Sequence, residues 1–188
     1  MKLDIMESVS RREALRLAVA ATTSVVLLEP AKAPASEYQP PTVIQNRPQH
    51  AKSRFMKSMN CSRAILETYA GEMGMSIENA RKVSAAFAGG MGMGSECGAV
   101  TGAFMVIGMK YGQTAKKDSD ADKETFKKVA MLVAEFKKQH GEILCSNLLG
   151  TDMGTPEGVQ KAADHGLFTT LCPKFVETAS IILDKILS

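Results

Sequence analysis

The stretch CGAVTGAFMVIGMK, residues 97–110, decides the fold of this chain because it is apolar on every side until Lys110. A helix that is apolar all round lies inside a protein, so we predict a buried central helix over residues 96–111. Gly98 and Gly102 stand four residues apart within it. Each glycine costs a helix about 1 kcal/mol relative to alanine, and we expect the close approach of another backbone to offset that cost. A helix of about fifteen residues is also short for a membrane span.

Helical periodicity continues on both sides of this stretch, and no segment alternates for long enough to predict a strand. The predicted helices cover residues 61–73, 121–140, 143–149 and 173–187, with one more capped by Ser76 and a brief one starting at Pro156. In the helix over 121–140 the expected buried stripe is Phe126, Val129, Val133 and Phe136. The fold class is therefore all-α, a compact bundle of five or six helices around the central apolar helix with its glycines.

Four cysteines, Cys61, Cys97, Cys145 and Cys172, are spread along the chain without a C-x-x-C pair. Three of them stand where a helix is expected to begin: after the capping residue Asn60, at the start of the central helix, and before a proline. The free N–H groups and positive dipole end of a helix N-terminus favour a thiolate over a thiol. If the fold brings the cysteines together, the pattern is typical of a site that handles electrons or a metal.

A glycine run, GGMGMG over residues 89–94, leads into the second cysteine. It lacks the sequence of a phosphate-binding loop, and we expect it to give backbone N–H groups to thiolates near Cys97. Gly94, Gly98 and Gly102 are the predicted supporting backbone of the site.

The N-terminus has the pattern of an export signal. Ser10-Arg11-Arg12 precedes an apolar run over residues 17–28 and a cluster of small residues, which predicts a signal peptide over residues 1–35. The paired arginines resemble a twin-arginine (Tat) signal. Residues 36–51 contain three prolines and are predicted to be a flexible tether, followed by a four-cysteine helical domain over 52–188. We therefore expect a periplasmic protein with no stable membrane span once the signal is removed.

Composition narrows the function classes. The 188 residues carry a net charge of +3, and the lysine pairs lie among Asp and Glu, which is typical of a solvated helix face and excludes a nucleic-acid surface. No Ser/His/Asp constellation and no pair of carboxylates in an apolar setting is evident in the sequence. The sequence does not decide whether the protein is an enzyme.

The contexts of the four cysteines, taken together, resemble the C_GCAxxG_C_C family of redox-active proteins. The matching segments are Asn60-Cys61-Ser62, the Gly-Gly-Met-Gly run, Cys97-Gly98-Ala99 with Gly102, Met109-Lys110-Tyr111-Gly112, Cys145 before Leu148-Leu149-Gly150, and Cys172-Pro173. The resemblance covers about residues 52–188, with Gly and Cys exchanged relative to the family label. It implies four functional cysteines. Some family members resemble exported Tat substrates, and a related domain in certain multidomain cytochromes carries an iron–sulfur centre.

Three interpretations of the cysteines stay open at this point. They could hold an iron–sulfur cluster or another thiolate metal centre that exchanges electrons with a periplasmic or membrane oxidoreductase. They could act as a reversible dithiol/disulfide relay, or form two structural disulfides in a non-enzymatic helical interaction module. A single site requires all four sulfur atoms around one centre, whereas two well-separated pairs would indicate structural disulfides.

Overall fold

The computed structural model describes residues 44–115 and 118–188. The predicted signal peptide and residues 36–43 of the predicted tether lie outside the described residues. The helices are α1 (Arg47–Ser58), α2 (Cys61–Ala70), α3 (Ile77–Ser84), α4 (Gly98–Tyr111), α5 (Ser119–His140), α6 (Cys145–Leu149), α7 (Pro156–Asp164), α8 (Leu167–Thr170) and α9 (Cys172–Leu187). Across these two ranges there is no strand, and the one extended pairing is an isolated antiparallel bridge between Glu96 and Leu144. The predicted all-α fold is confirmed.

Helix α1 begins at Arg47, so it includes the last five residues of the predicted tether. The Asn46 side chain accepts a hydrogen bond from the backbone N–H of Gln49, and Pro48 lies in the first turn, where its missing N–H costs nothing. Ala51 and Phe55 are buried, and the helix packs against α2 and α9. The predicted tether over 36–51 therefore needs correction at its C-terminal end, because Pro48 starts a helix that has a buried face.

Helix α4 is the buried centre of the bundle, as predicted, and it packs against α2, α5 and α9. Two of its glycines, Gly98 and Gly102, lie against α2 and the segment before α4. A Cβ atom added at Gly98 would lie 2.9 Å from the carbonyl oxygen of Phe87, and one at Gly102 would lie 2.9 Å from the carbonyl oxygen of Ser62. The backbone approach that the spacing of the glycines predicts is therefore present.

The buried stripe of α5 differs from the prediction at one end. Phe126 is 70% exposed, whereas Leu132 and Phe136 are fully buried, with Val129 and Val133 half-buried. Six residues at about 100° each place Phe126 about 120° around the helix from Leu132. Helix α5 meets the bundle along the side of Leu132 and Phe136, so the inclusion of Phe126 in the buried stripe was wrong.

A polar network between α1, α2 and α9 fixes the relative position of these helices. The fully buried Tyr69 has its hydroxyl within hydrogen-bond distance of the Ser180 hydroxyl, at 2.8 Å, and of an Asp184 carboxylate oxygen, at 3.0 Å. Arg47 contacts the same Asp184 oxygen, at 2.9 Å, and also pairs with Glu72. The network ties together α2 and α9, each of which begins with a cysteine.

No single helix among the described residues is both long and apolar enough to cross a membrane. Helix α7 and the segment Leu167–Leu187 meet that test only when taken as a pair, and they are bent by 62°. Much of α9 is buried against the rest of the bundle.

Candidate functional site

Each of the four cysteines lies at the N-terminal end of a helix. Cys61, Cys145 and Cys172 are the first residues of α2, α6 and α9, and Cys97 immediately precedes α4. All four are free thiols. Sequence reasoning placed three of them at helix starts and missed that Cys145 opens its short helix.

The four cysteines come together although they stand 27 to 48 residues apart in the sequence. The Cys61 thiol is within hydrogen-bonding range of the thiols of Cys172 and Cys97. Cys145 lies close enough to Cys97 and Cys172 to interact with their charges. The structure thus forms one group of thiols, here called the thiol cluster, and not two separated pairs.

The isolated bridge holds Cys97 beside Cys145. The backbone N–H of Cys97 donates to the carbonyl of Ile143 at 2.7 Å, and the N–H of Cys145 donates to the carbonyl of Ser95 at 2.7 Å. Sequence analysis missed this contact because a single bridge produces no periodic pattern. Both cysteine N–H groups are therefore used in positioning the chain, not in contacting sulfur.

Asn60 fixes the position of Cys61. Its side-chain oxygen accepts a hydrogen bond from the backbone N–H of Arg63 at 2.9 Å, which is the predicted helix cap. Its amide nitrogen donates to the carbonyl of Ala85 at 3.1 Å. The start of α2 is therefore anchored to the segment that runs from α3 towards α4.

The glycine run forms a left-handed turn between α3 and α4. Gly89, Gly90, Met91 and Gly92 have φ of 62°, 62°, 60° and 68°, and the N–H of Ser95 closes the turn by donating to the carbonyl of Gly90 at 3.1 Å. Left-handed backbone is disfavoured for residues with a Cβ atom, which explains why glycine occupies three of these four positions.

The N–H groups that reach the Cys97 sulfur belong to Ala99 and Val100 in the first turn of α4. The prediction that the glycine run supplies these donors finds no counterpart in the described hydrogen bonds to Cys97. Of the predicted supporting glycines, Gly98 lies against Cys61, Gly102 lies against Ser62, and a Cβ atom at Gly94 would overlap the Ser146 hydroxyl.

The pKa values of the cysteines in the thiol cluster are shifted in opposite directions. A hydrogen bond from the Cys61 thiol lowers the pKa of Cys97, and the N–H groups of Ala99 and Val100 add to this against the opposing effect of burial. The pKa of Cys61 is raised by its contacts with Cys172 and Cys97 and by burial. Burial, followed by the charges of its neighbours, raises the pKa of Cys145 to about 12. Cys97 is thus the cysteine of the thiol cluster whose pKa is lowered, beside Cys61 and Cys145, whose pKa values are raised.

The donor atoms of the thiol cluster are four cysteine sulfurs, the ligands of some zinc sites and of iron–sulfur clusters. Within the described ranges, no group of three or more His, Cys, Asp or Glu side chains is placed to hold a single metal ion. A tetrahedral zinc site needs four thiolates about 2.3 Å from one point, so the arrangement does not present a mononuclear site. A [2Fe–2S] cluster divides four thiolates between two irons. Four buried free cysteines in one group fit that chemistry and that number of ligands.

Comparison with known proteins gives one match. The family model described as "Putative redox-active protein (C_GCAxxG_C_C)" matches residues 59–186, a range that contains all four cysteines. No curated protein and no solved structure matches the chain. The family match spans more than half of the 188 residues. The chain therefore belongs to the C_GCAxxG_C_C family of four-cysteine redox-active proteins.

Proposed function

We propose that this protein is an exported redox protein of the periplasm whose four cysteines hold an iron–sulfur cluster for electron transfer. The observation that carries the proposal is the thiol cluster itself: four free, buried thiols from four separate helix ends gathered in one place. Structural disulfides require cysteines only in pairs, whereas a shared ligand set requires all four together.

The surrounding chain is suited to holding negative charge in a dry site. When bound, an iron–sulfur cluster supplies one-electron redox chemistry. The N-terminal ends of α2, α4 and α9 place positive dipole ends at the cysteines, which stabilises thiolates. The buried helix α4 keeps water from one side of the thiol cluster. Burial and hydrogen bonds to sulfur both tune the reduction potential of a bound iron–sulfur cluster.

The exposure of the cysteines favours ligation over exchange with protein disulfides. Cys97, whose pKa is lowered, is the least exposed of the four at 2%, whereas Cys61 is 8% exposed. Thiol–disulfide exchange needs a thiolate that the incoming disulfide can reach. The buried sulfur of Cys97 is better placed to bind a metal than to attack a disulfide on another protein.

The predicted export signal supports a periplasmic location, because the Tat route carries folded proteins and an iron–sulfur cluster inserted in the cytoplasm could travel with them. The electron-transfer partner would be a periplasmic or membrane oxidoreductase. The intact mass of protein from the periplasmic fraction should correspond to a chain that begins at Ser36. A full-length chain found only in the cytoplasm of the native host would contradict export.

A reversible dithiol relay is the second candidate, and the contact between the Cys97 and Cys61 thiols favours it. Oxidation of these two thiols would form one S–S bond and release two protons and two electrons. An acceptor disulfide on a partner protein would take up both and become two thiols.

The decisive experiment is anaerobic purification followed by iron, acid-labile sulfide, visible absorption and thiol measurements on one sample. Iron, sulfide and colour that are lost together in Cys97→Ser, but kept in the control Thr101→Ser on the same helix, would support the cluster. A colourless protein that reversibly recovers two or four thiols at a mild potential would identify the relay. A metal-free protein without free thiols, whose function survives replacement of the cysteines, would leave only the interaction module.

A further inference from the structure

A concentration of positive charge lies on the side of the bundle formed by α1, α2 and α3. Arg54, Lys57, Arg63 and Arg81 form what we call the basic face. Arg54 and Arg81 both pair with the carboxylate of Glu67, the latter through its Nε at 2.7 Å. The Glu67 side chain is only 2% exposed, so one buried carboxylate serves two guanidinium groups.

The cations of the basic face are close enough to repel one another. Burial lowers the pKa of Arg54, and the charge of Arg81 lowers it further. The pKa of the neighbouring His50 is lowered by burial and then by Arg54 and Lys57. The charge of this region is therefore incompletely neutralised within the described part of the protein.

Two members of the basic face have no partner for their charge among the described residues. Lys57 is exposed and forms no salt bridge there. The Nε atom of Arg63 is buried and has no hydrogen-bond acceptor in the same part of the chain. Because Lys57 is exposed and Arg63 is half-buried, both charges remain available to an incoming carboxylate.

The basic face adjoins the thiol cluster at Cys61. Lys57 precedes Cys61 by four residues and Arg63 follows it by two. Two exposed methionines, Met56 at 46% and Met59 at 47%, lie in the same segment. Charged residues around a small apolar area are typical of the rim and centre of a protein interface.

We propose that the electron-transfer partner of this protein carries an acidic docking surface and binds the basic face next to Cys61. This inference rests on the proposed function and adds the chemistry of the partner. Complementary charges steer such partners to one another and fix their orientation, and guanidinium groups form paired hydrogen bonds with carboxylates. Docking there places the partner beside Cys61, one of the four members of the thiol cluster.

The test uses two small electron acceptors of opposite charge. The protein is reduced anaerobically with dithionite, freed of reagent and mixed in a stopped-flow instrument with hexacyanoferrate(III) or hexaammineruthenium(III), each of which accepts one electron. Lys57→Glu should slow oxidation by the anionic complex about three- to tenfold at an ionic strength near 0.1 M, where the Debye length is about 10 Å and a change of two charges near Cys61 is screened less than the same change farther away. Oxidation by the cationic complex should become faster, and both effects should fade as salt is added. Arg63→Gln should likewise slow oxidation by the anionic complex and speed oxidation by the cationic complex.

Lys185→Glu is the matched control, because it makes the same charge change at an exposed position. It lies thirteen residues after Cys172 in α9, about 20 Å away at 1.5 Å per residue. Equal responses of the Lys57 and Lys185 variants would overturn the acidic partner while leaving the proposed function intact. If neither complex takes electrons from the protein, the proposed function itself fails. Pelleting of the protein with phosphatidylglycerol vesicles, lost in Lys57→Glu, would assign the face to a lipid surface and overturn the protein partner.

Discussion

The contact between α4 and α2 can be tested by adding one methyl group at each of two positions in α4. At Gly102 a Cβ atom would lie 2.9 Å from the carbonyl oxygen and 3.0 Å from the Cα of Ser62, and 3.1 Å from the Cβ of Ile65. Two of these atoms are backbone, so no side-chain rotation relieves the overlap. At Gly108 a Cβ atom would meet nothing within 4 Å.

The expected free energies follow from these contacts. Both substitutions gain about 1 kcal/mol of helix propensity, and only Gly102→Ala adds an overpacking cost of about 1–3 kcal/mol. We expect Gly108→Ala to stabilise the protein by about 1 kcal/mol. Gly102→Ala should leave the stability unchanged or lower it by up to about 2 kcal/mol. The difference of about 1–3 kcal/mol between the two variants isolates the helix contact, because the propensity gain cancels.

Urea unfolding of the reduced proteins, followed by far-ultraviolet circular dichroism, measures the difference as a shift in midpoint at constant slope. Because Ser62 follows Cys61, a displaced α2 should also weaken the hydrogen bond from Cys61 and raise the pKa of Cys97 in Gly102→Ala alone. Equal unfolding free energies for the two variants would show that α2 and α4 are not in close contact, and the position of Cys61 relative to Cys97 would have to be reconsidered.

Three further predictions concern ionisable groups. Because the pKa of Cys145 is raised to about 12 from an ordinary 9.0, the folded protein keeps this proton where the unfolded chain loses it. The free energy of unfolding should thus fall as pH rises from 9 towards 12, by up to about 1.4 kcal/mol per pH unit. Urea unfolding at several pH values should show a smaller slope for Cys145→Ser. An unchanged slope would show that the pH dependence does not come from the raised pKa of Cys145. Cys61→Ala should raise the pKa of Cys97, since it removes the hydrogen bond that lowers this pKa most. If the midpoint of a thiolate absorbance titration is the same in the variant, the pKa of Cys97 is lowered by the helix N–H groups alone. Glu67→Gln should destabilise the protein by about 2–3 kcal/mol, because two arginines lose their buried carboxylate, whereas Glu78→Gln, in an exposed pair, should have no measurable effect on thermal unfolding; similar losses in both would contradict the role of burial.

The differences between expectation and structure fall where distant segments meet. Helix α1 was hidden by prolines that are typical of a tether, although its cap and buried face are present in the sequence. Phe126 fits a helical stripe by spacing, but spacing does not say which of two adjacent stripes faces the bundle. The bridge at Glu96 involves one residue on each side and leaves no pattern to find.

By itself, the sequence determined the all-α class, the burial of α4, the backbone approach at its glycines and the helix start at Cys61. Each of these depends on neighbours within one or two helical turns, where periodicity and capping act. The tertiary structure decided that Cys61 lies beside Cys97 and Cys172, that Cys145 joins them, and that the pKa of Cys97 is lowered while those of Cys61 and Cys145 are raised. These properties arise between residues 27 to 111 positions apart, because a pKa depends on which groups packing brings beside the sulfur.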